Sequence, residues 1–248
     1  KTKILCTFGW RMALAGAETR LIMRCCHDMA KAMHVINPEF TLTRSFFLVR
    51  CCDGNSHYAE RIAKIKSLGI NMNSVTRLNF IANDVISGEI TDLDLIYHKI
   101  RAVRPAHYNK NMLIPIEAFA AAAFAYCNGG TATVCLAALI GGFMLMFFKF
   151  WLLKKGFFET FVFMACAFLG CATTYIMCTY VLNASAEETR LAIMATTLLL
   201  VPGFPYMNGF LDIFKGYLEI GVMRLVYSII LTACAASGLL GALYLMWI

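Results

Sequence analysis

Residues Leu191 to Leu211 run for 21 positions without a charge, between Arg190 and Asp212, and Pro202-Gly203-Phe204-Pro205 falls inside that run. A stretch of this length is enough to cross a bilayer as a helix. Proline removes a backbone donor and clashes with the preceding turn, and glycine adds conformational freedom. Lipid offers no partner for the freed carbonyls, so a break at this depth must face protein or a water-filled cavity. The segment therefore reads as a broken membrane helix, with the backbone of residues 202–205 expected to leave helical geometry. Broken helices of this kind form substrate sites in transporters. A packed proline kink without a ligand is the competing reading.

Charge is distributed as unevenly as hydropathy. Residues 1–110 carry 16 Lys and Arg against 9 Asp and Glu, a net of +7, whereas residues 111–248 carry 6 of each. All five histidines lie in the first part. The expected organisation is a basic α+β domain over 1–110 followed by an all-α membrane domain over 111–248. A basic domain attracts nucleic acid, anionic lipid or small anions. No Arg/aromatic pattern supports nucleic acid. Lys1 stands where an initiator methionine would be, so preceding residues are expected, and no signal peptide is visible. The 11 cysteines include two adjacent pairs, Cys25-Cys26 and Cys51-Cys52, which lack the C-x-x-C spacing of a zinc site. His27 and His34 share a helix face without a third ligand, so no metal is expected.

In the first part, the apolar positions of Ile4 to Leu14 suggest a helix, Gly16 breaks it, and Ile22, Cys25, Cys26, Met29 and Met33 mark a second. Glu18 and Arg20 read as a helix-start acid and a solvated base. Thr41 to Cys52 and Tyr58 to Ser67 are strand-like, joined by a turn at Asp53-Gly54. Asn73 or Ser74 and then Thr91 are expected to cap two further helices, the second carrying Leu93, Ile96, Tyr97, Ile100 and Val103 on one face. The expected order is α-α-β-β-α-α, with no phosphate loop, no catalytic constellation and no cofactor motif.

In the second part five spans can be drawn: Met112 to Tyr126, interrupted by Pro115 and Glu117; Thr131 to Phe148; Phe157 to Leu182; the broken Leu191 to Leu211; and Val222 to Ile248. Lys149, Lys154, Lys155, Lys215 and Arg224 fall on the same side as the basic domain, which predicts a cytoplasmic N-terminal domain with its thiols in a reducing compartment. Ionisable residues near spans are functional candidates. Glu117, Asn208, Asp212 and Lys215 join Pro202, Gly203, Phe204 and Pro205 as a candidate substrate pathway. Asp212 and Lys215, three apart, are expected to pair if the helix continues.

Gly16-Ala17-Glu18, Asp53-Gly54, Gly69-Ile70-Asn71-Met72, Leu198 to Pro205, Asn208, Asp212, Phe214-Lys215-Gly216 and Arg224 together resemble the threonine/serine exporter family of bacterial membrane proteins. Within it, the chain is similar to the larger half of two-subunit exporters associated with succinate. The resemblance covers nearly the whole chain, and its Val201 to Gly216 block is the specific part. It implies a multi-pass inner-membrane exporter of a small carboxylate or amino acid, lying in the lipid bilayer. It also implies a smaller membrane-spanning partner. An odd number of spans would give that partner inverted topology. A dicarboxylate suits the net charge of +7 better than zwitterionic threonine or serine. The rival class is a membrane-anchored cytoplasmic enzyme or sensor, for which a broken span has no use.

Overall fold

A computed structural model of the chain describes residues 1–52, 58–65, 69–106 and 109–246. The chain begins with two helices, α1 (Thr2–Leu14) and α2 (Thr19–Ala32), whose apolar positions recur at helical spacing. Leu5, Phe8 and Met12 on α1 and Ile22, Cys26 and Met29 on α2 are fully buried. Three antiparallel strands follow in the order β1 (Ile36–Leu42), β2 (Phe46–Cys52) and β3 (Tyr58–Lys64). Along β2, Phe47, Val49 and Cys51 alternate into the core, as a strand with one covered face requires.

The expected single strand over Thr41 to Cys52 is the end of β1, a turn and β2. Thr43 makes that turn: its Oγ1 accepts from the amides of Ser45 and Phe46. β1 escapes a sequence reading because Asn37-Pro38 looks like a breaker. An edge strand tolerates it, through a register shift between Ile36 and Glu39 and a positive φ at Asn37. The Asp53-Gly54 turn lies outside the described residues.

Helices α3 (Met72–Ile86) and α4 (Leu93–Ala102) complete this layer, with Leu78, Ile96 and Ile100 inside. Their caps are Asn71, which accepts from Ser74 N, and Asp92, which accepts from Asp94 N. Both differ from the expected residues, because Asn and Asp compete well with Ser and Thr as N-caps.

Burial holds the thiols of Cys6, Cys25 and, most strongly, Cys26 above the ordinary cysteine range. The thiolate is the reactive form. In the native protein, maleimide should therefore label exposed Cys127 before any of these three, with mass-mapped labelling as the check.

The second part is helical: α5 (Lys110–Cys127), α6 (Ala132–Lys154), α7 (Glu159–Ile176) running into a π turn (Met177–Val181), α8 (Ala186–Thr197) ending in a 3₁₀ turn (Leu198–Leu200), α9 (Gly203–Phe214) and α10 (Leu218–Met246). Among the described residues, three helical stretches are long and apolar enough to cross a membrane: Ala132–Lys154, Glu159–Val181 and Leu218–Met246. A fourth arises if the bent pair of Ala186–Leu200 and Gly203–Phe214 counts as one span. α5 forms where a span was expected and runs through Pro115, but it is not among them; Lys110, Asn111 and Glu117 dilute its apolar character.

By packing, the chain divides into two units. One is Lys1–His107 with Phe204–Leu225, and the other is Tyr108–Gly203 with Val226–Ile248. In the second unit small residues allow close helix approach. A Cβ added to Gly141 would lie 1.9 Å from Thr174 Oγ1, and the hydroxyls of Thr174 and Thr196 are 3.0 Å apart beside it.

Candidate functional site

The broken segment is helical on both sides of Val201-Pro202. Val201 N still bonds to Leu198 O, and Gly203 N bonds to Val201 O, so the interruption is confined to two residues. Gly203, Phe204 and Pro205 form the first turn of α9 rather than leaving the helix, because proline fits where backbone donors are unpaired anyway.

After Phe214 the chain reverses at Gly216, whose φ is 88°, and Tyr217 N closes the turn on Asp212 O at 2.8 Å. The start of α10 then packs on α9 through two glycines. A Cβ on Gly221 would stand 2.8 Å from Gly209 O, and one on Gly209 would strike the Leu225 side chain at 2.8 Å. This close approach brings Arg224 Nη1 to 2.8 Å from Asp212 Oδ2, with both side chains buried.

The same unit holds the turn between α1 and α2. Gly16 has a φ of 81°, and a Cβ there would meet Gly69 O at 2.5 Å. Gly69 N and Asn71 N bond to Leu14 O and Ala15 O. The first amides of a helix need acceptors from outside it, preferably negative ones. Asp212 Oδ1 takes Thr19 N at 3.1 Å. Asn208 Nδ2 donates to Gly16 O at 3.0 Å, and Arg224 Nη2 to Ala17 O at 3.4 Å. Lys215 Nζ lies 2.5 Å from Glu18 Oε1. Four consecutive residues, Gly16 to Thr19, are thus each held by a side chain from the segment 208–224.

The expected partnership of Asp212 with Lys215 is replaced by two others: Asp212 with Arg224, and Lys215 with Glu18. The Lys215–Glu18 pair is about a quarter exposed on both sides, 28% and 23%. Such pairs contribute about 0.2–1 kcal/mol. Lys215→Met should accordingly lower unfolding free energy by no more than about 1 kcal/mol in a denaturant titration.

A cavity of about 40 Å³ lies between Gly16, Gly69 and Ile70 on one side and Phe204, Pro205, Asn208 and Arg224 on the other. That is room for a few waters at roughly 10–15 Å³ each, and far too little for a four-carbon dicarboxylate. Phe204, Pro205 and Asn208 thus line the cavity, and Asp212 and Lys215 brace it. Pro202 and Gly203 precede it, and Gly203 has open space where a Cβ would go.

Glu117 stands apart, on α5 in the other unit. There it acts electrostatically on Lys149 together with Glu159. Lys149 sits 5.1 Å from the Phe163 ring centre, and Tyr227 donates its hydroxyl proton to Glu159. Glu18, Thr19 and Arg224 were absent from the sequence-derived pathway. The first resembled a helix-start acid and the last a loop charge; only the family-like blocks containing Glu18 and Arg224 signalled them.

Comparison with known proteins agrees in one direction. A family model described as "Putative threonine/serine exporter" (ThrE) matches residues 3–246. The chain is 27% identical over 235 residues to a "Probable succinate transporter subunit YjjP" of Klebsiella aerogenes, covering 94% of this chain and 88% of that protein. It is 25% identical over 245 residues to the Escherichia coli K12 protein of the same description, covering 98% and 93%. No solved structure matches.

Proposed function

The chain belongs to the threonine/serine exporter family, and from that premise we propose that it is one subunit of a bacterial inner-membrane exporter of a small carboxylate, a dicarboxylate such as succinate. Family membership makes it a membrane transporter, and in this reading it is not an enzyme. The related proteins are named as transporter subunits, which supports a companion. In this reading the companion is a smaller membrane protein of inverted topology, the chain crosses the membrane five times, and the N-terminal domain is cytoplasmic.

The observation that carries the reading is the grip of Asn208, Asp212 and Arg224 on the Gly16–Thr19 turn, immediately after the break at Val201-Pro202. Arg224 and Asn208 are groups that bind carboxylates well. Here they bond to backbone carbonyls and to Asp212 around a cavity too small for substrate. Withdrawal of α9 from the turn would open that cavity and release Asn208 from Gly16 O, while Arg224, on α10, would part from Asp212 and turn to a substrate carboxylate. The hinge for such a movement is Val201 to Gly203, where helical bonding already lapses.

The family description favours a second substrate class, threonine or serine, which also bears a carboxylate. Cells producing the chain with its companion should release labelled succinate faster than cells lacking them. Faster release of threonine alone would move the substrate to the amino acids, and equal release of both with and without the proteins would overturn export. Gly203→Ala tests the hinge. It meets no neighbour and favours helix, so folding should be unchanged while export slows.

A further inference from the structure

From the β3 edge we infer that two copies of this chain pair through it, antiparallel and centred on Ile62. The sheet order β1-β2-β3 leaves two edges. β1 is unsuited to pairing: Pro38 lacks an amide hydrogen, Asn37 has a φ of 44°, and its register slips between Ile36 and Glu39. Among the described residues, β3 carries no proline, no positive φ and no register slip, and its edge is covered only at Lys64 O, by the Trp10 indole. It keeps unbroken register with β2 from Tyr58 opposite Cys52 to Lys64 opposite Phe46.

Backbone groups of successive strand residues point to opposite sides. Ile65 N bonds inward to Ser45 O, so the peptide groups of Lys64, Ile62 and Glu60 point outward. The Trp10 indole already donates to Lys64 O from that side. On the sheet's outer face Ile62 is 63% exposed and Tyr58 60%.

Charge complementarity selects a second copy as the occupant. Glu60 faces Arg50 in the ladder, yet Arg50 turns to Glu39 at 3.8 Å and to the Tyr58 ring at 4.1 Å. Among the described residues, Glu60 and Lys64 have no ion-pair partner. They sit two positions to either side of Ile62, on the same face. A two-fold axis at Ile62 places the Glu60 side chain of each copy opposite Lys64 of the other, and Ile62 against Ile62, with the Ile62 backbones in bonding register and Lys64 O kept by Trp10. Centring on Glu60, Arg61 or Lys64 instead sets like charges opposite each other, which is unfavourable. The contact is isologous and self-limiting, as a two-fold pair must be. Confinement of both copies to one membrane raises their effective concentration, so a short edge suffices.

Opposed residues in such a ladder have Cα atoms about 5.5 Å apart, within disulfide range. The test uses the full chain in membranes, with the unsubstituted chain setting the background from its native thiols. Mild oxidation of Ile62→Cys should give a dimer above that background. Adding Glu60→Lys should lower its yield by about tenfold, through two Lys–Lys oppositions. Adding Lys64→Glu to that variant should restore the yield. Equal membrane content of all variants checks folding. The pairing is overturned by an Ile62→Cys yield at background, by indifference to Glu60→Lys, by failure of the swap to restore it, or by a cross-link to a different protein. None of these outcomes depends on what is exported.

Discussion

Asp212→Ala should destabilise the unit that contains it by about 3–5 kcal/mol, the usual cost of leaving a buried charge without its partner. Two separate losses combine. Arg224, 4% exposed, would lose the carboxylate that stands 2.8 Å from its Nη1. Thr19 N, at the start of α2, would lose its acceptor. Because the cost lies mainly in a buried guanidinium deprived of Asp212, removing it as well should return most of the stability. Asp212→Leu with Arg224→Met should therefore be more stable than Asp212→Ala alone. Denaturant titration of the full chain, followed by protease resistance of residues 1–107, is the check. A double variant as unstable as the single one would mean that the bond to Thr19 dominates instead.

The second large effect is expected at Gly16. Its φ of 81° disfavours any side chain, and the ideal Cβ position lies 2.5 Å from Gly69 O. Backbone on backbone cannot yield as a flexible side chain does. Gly16→Val should cost about 2–4 kcal/mol, the sum of a left-handed penalty and displacement of the Gly69 backbone. Gly88 provides the control. It has the same φ of 81° but open space around its Cβ, so Gly88→Ala should show the conformational penalty alone, about 1–2 kcal/mol. Comparable losses at the two positions would remove the argument that Gly16 is there for close approach.

Local features of the fold were legible because they rest on local physics. The faces of α2 and α4 follow from apolar spacing, and the glycines at 16 and 88 end helices as their positive φ values require. β1 was hidden by Asn37-Pro38, whose usual meaning an edge position reverses. The site was harder. A three-residue interval made Lys215 the natural partner of Asp212, but the helix turns at Gly216 and Arg224 comes back beside Asp212 instead. The bond from Thr19 to Asp212 spans 193 positions, and nothing in either segment's periodicity announces it. What did carry over was the list of family-like blocks. Gly16-Ala17-Glu18, Gly69-Ile70, Asn208, Asp212, Lys215 and Arg224 are scattered in sequence and adjacent in the fold.

The exporter reading meets its most direct test in liposomes loaded with labelled succinate. Purified chain and companion, reconstituted together, should release the label at a rate that falls when Gly203 is replaced by alanine, while either protein alone should hold it. Release no faster than from empty liposomes would contradict transport. Full release by this chain without its companion would contradict the proposal that it is one half of a two-part exporter.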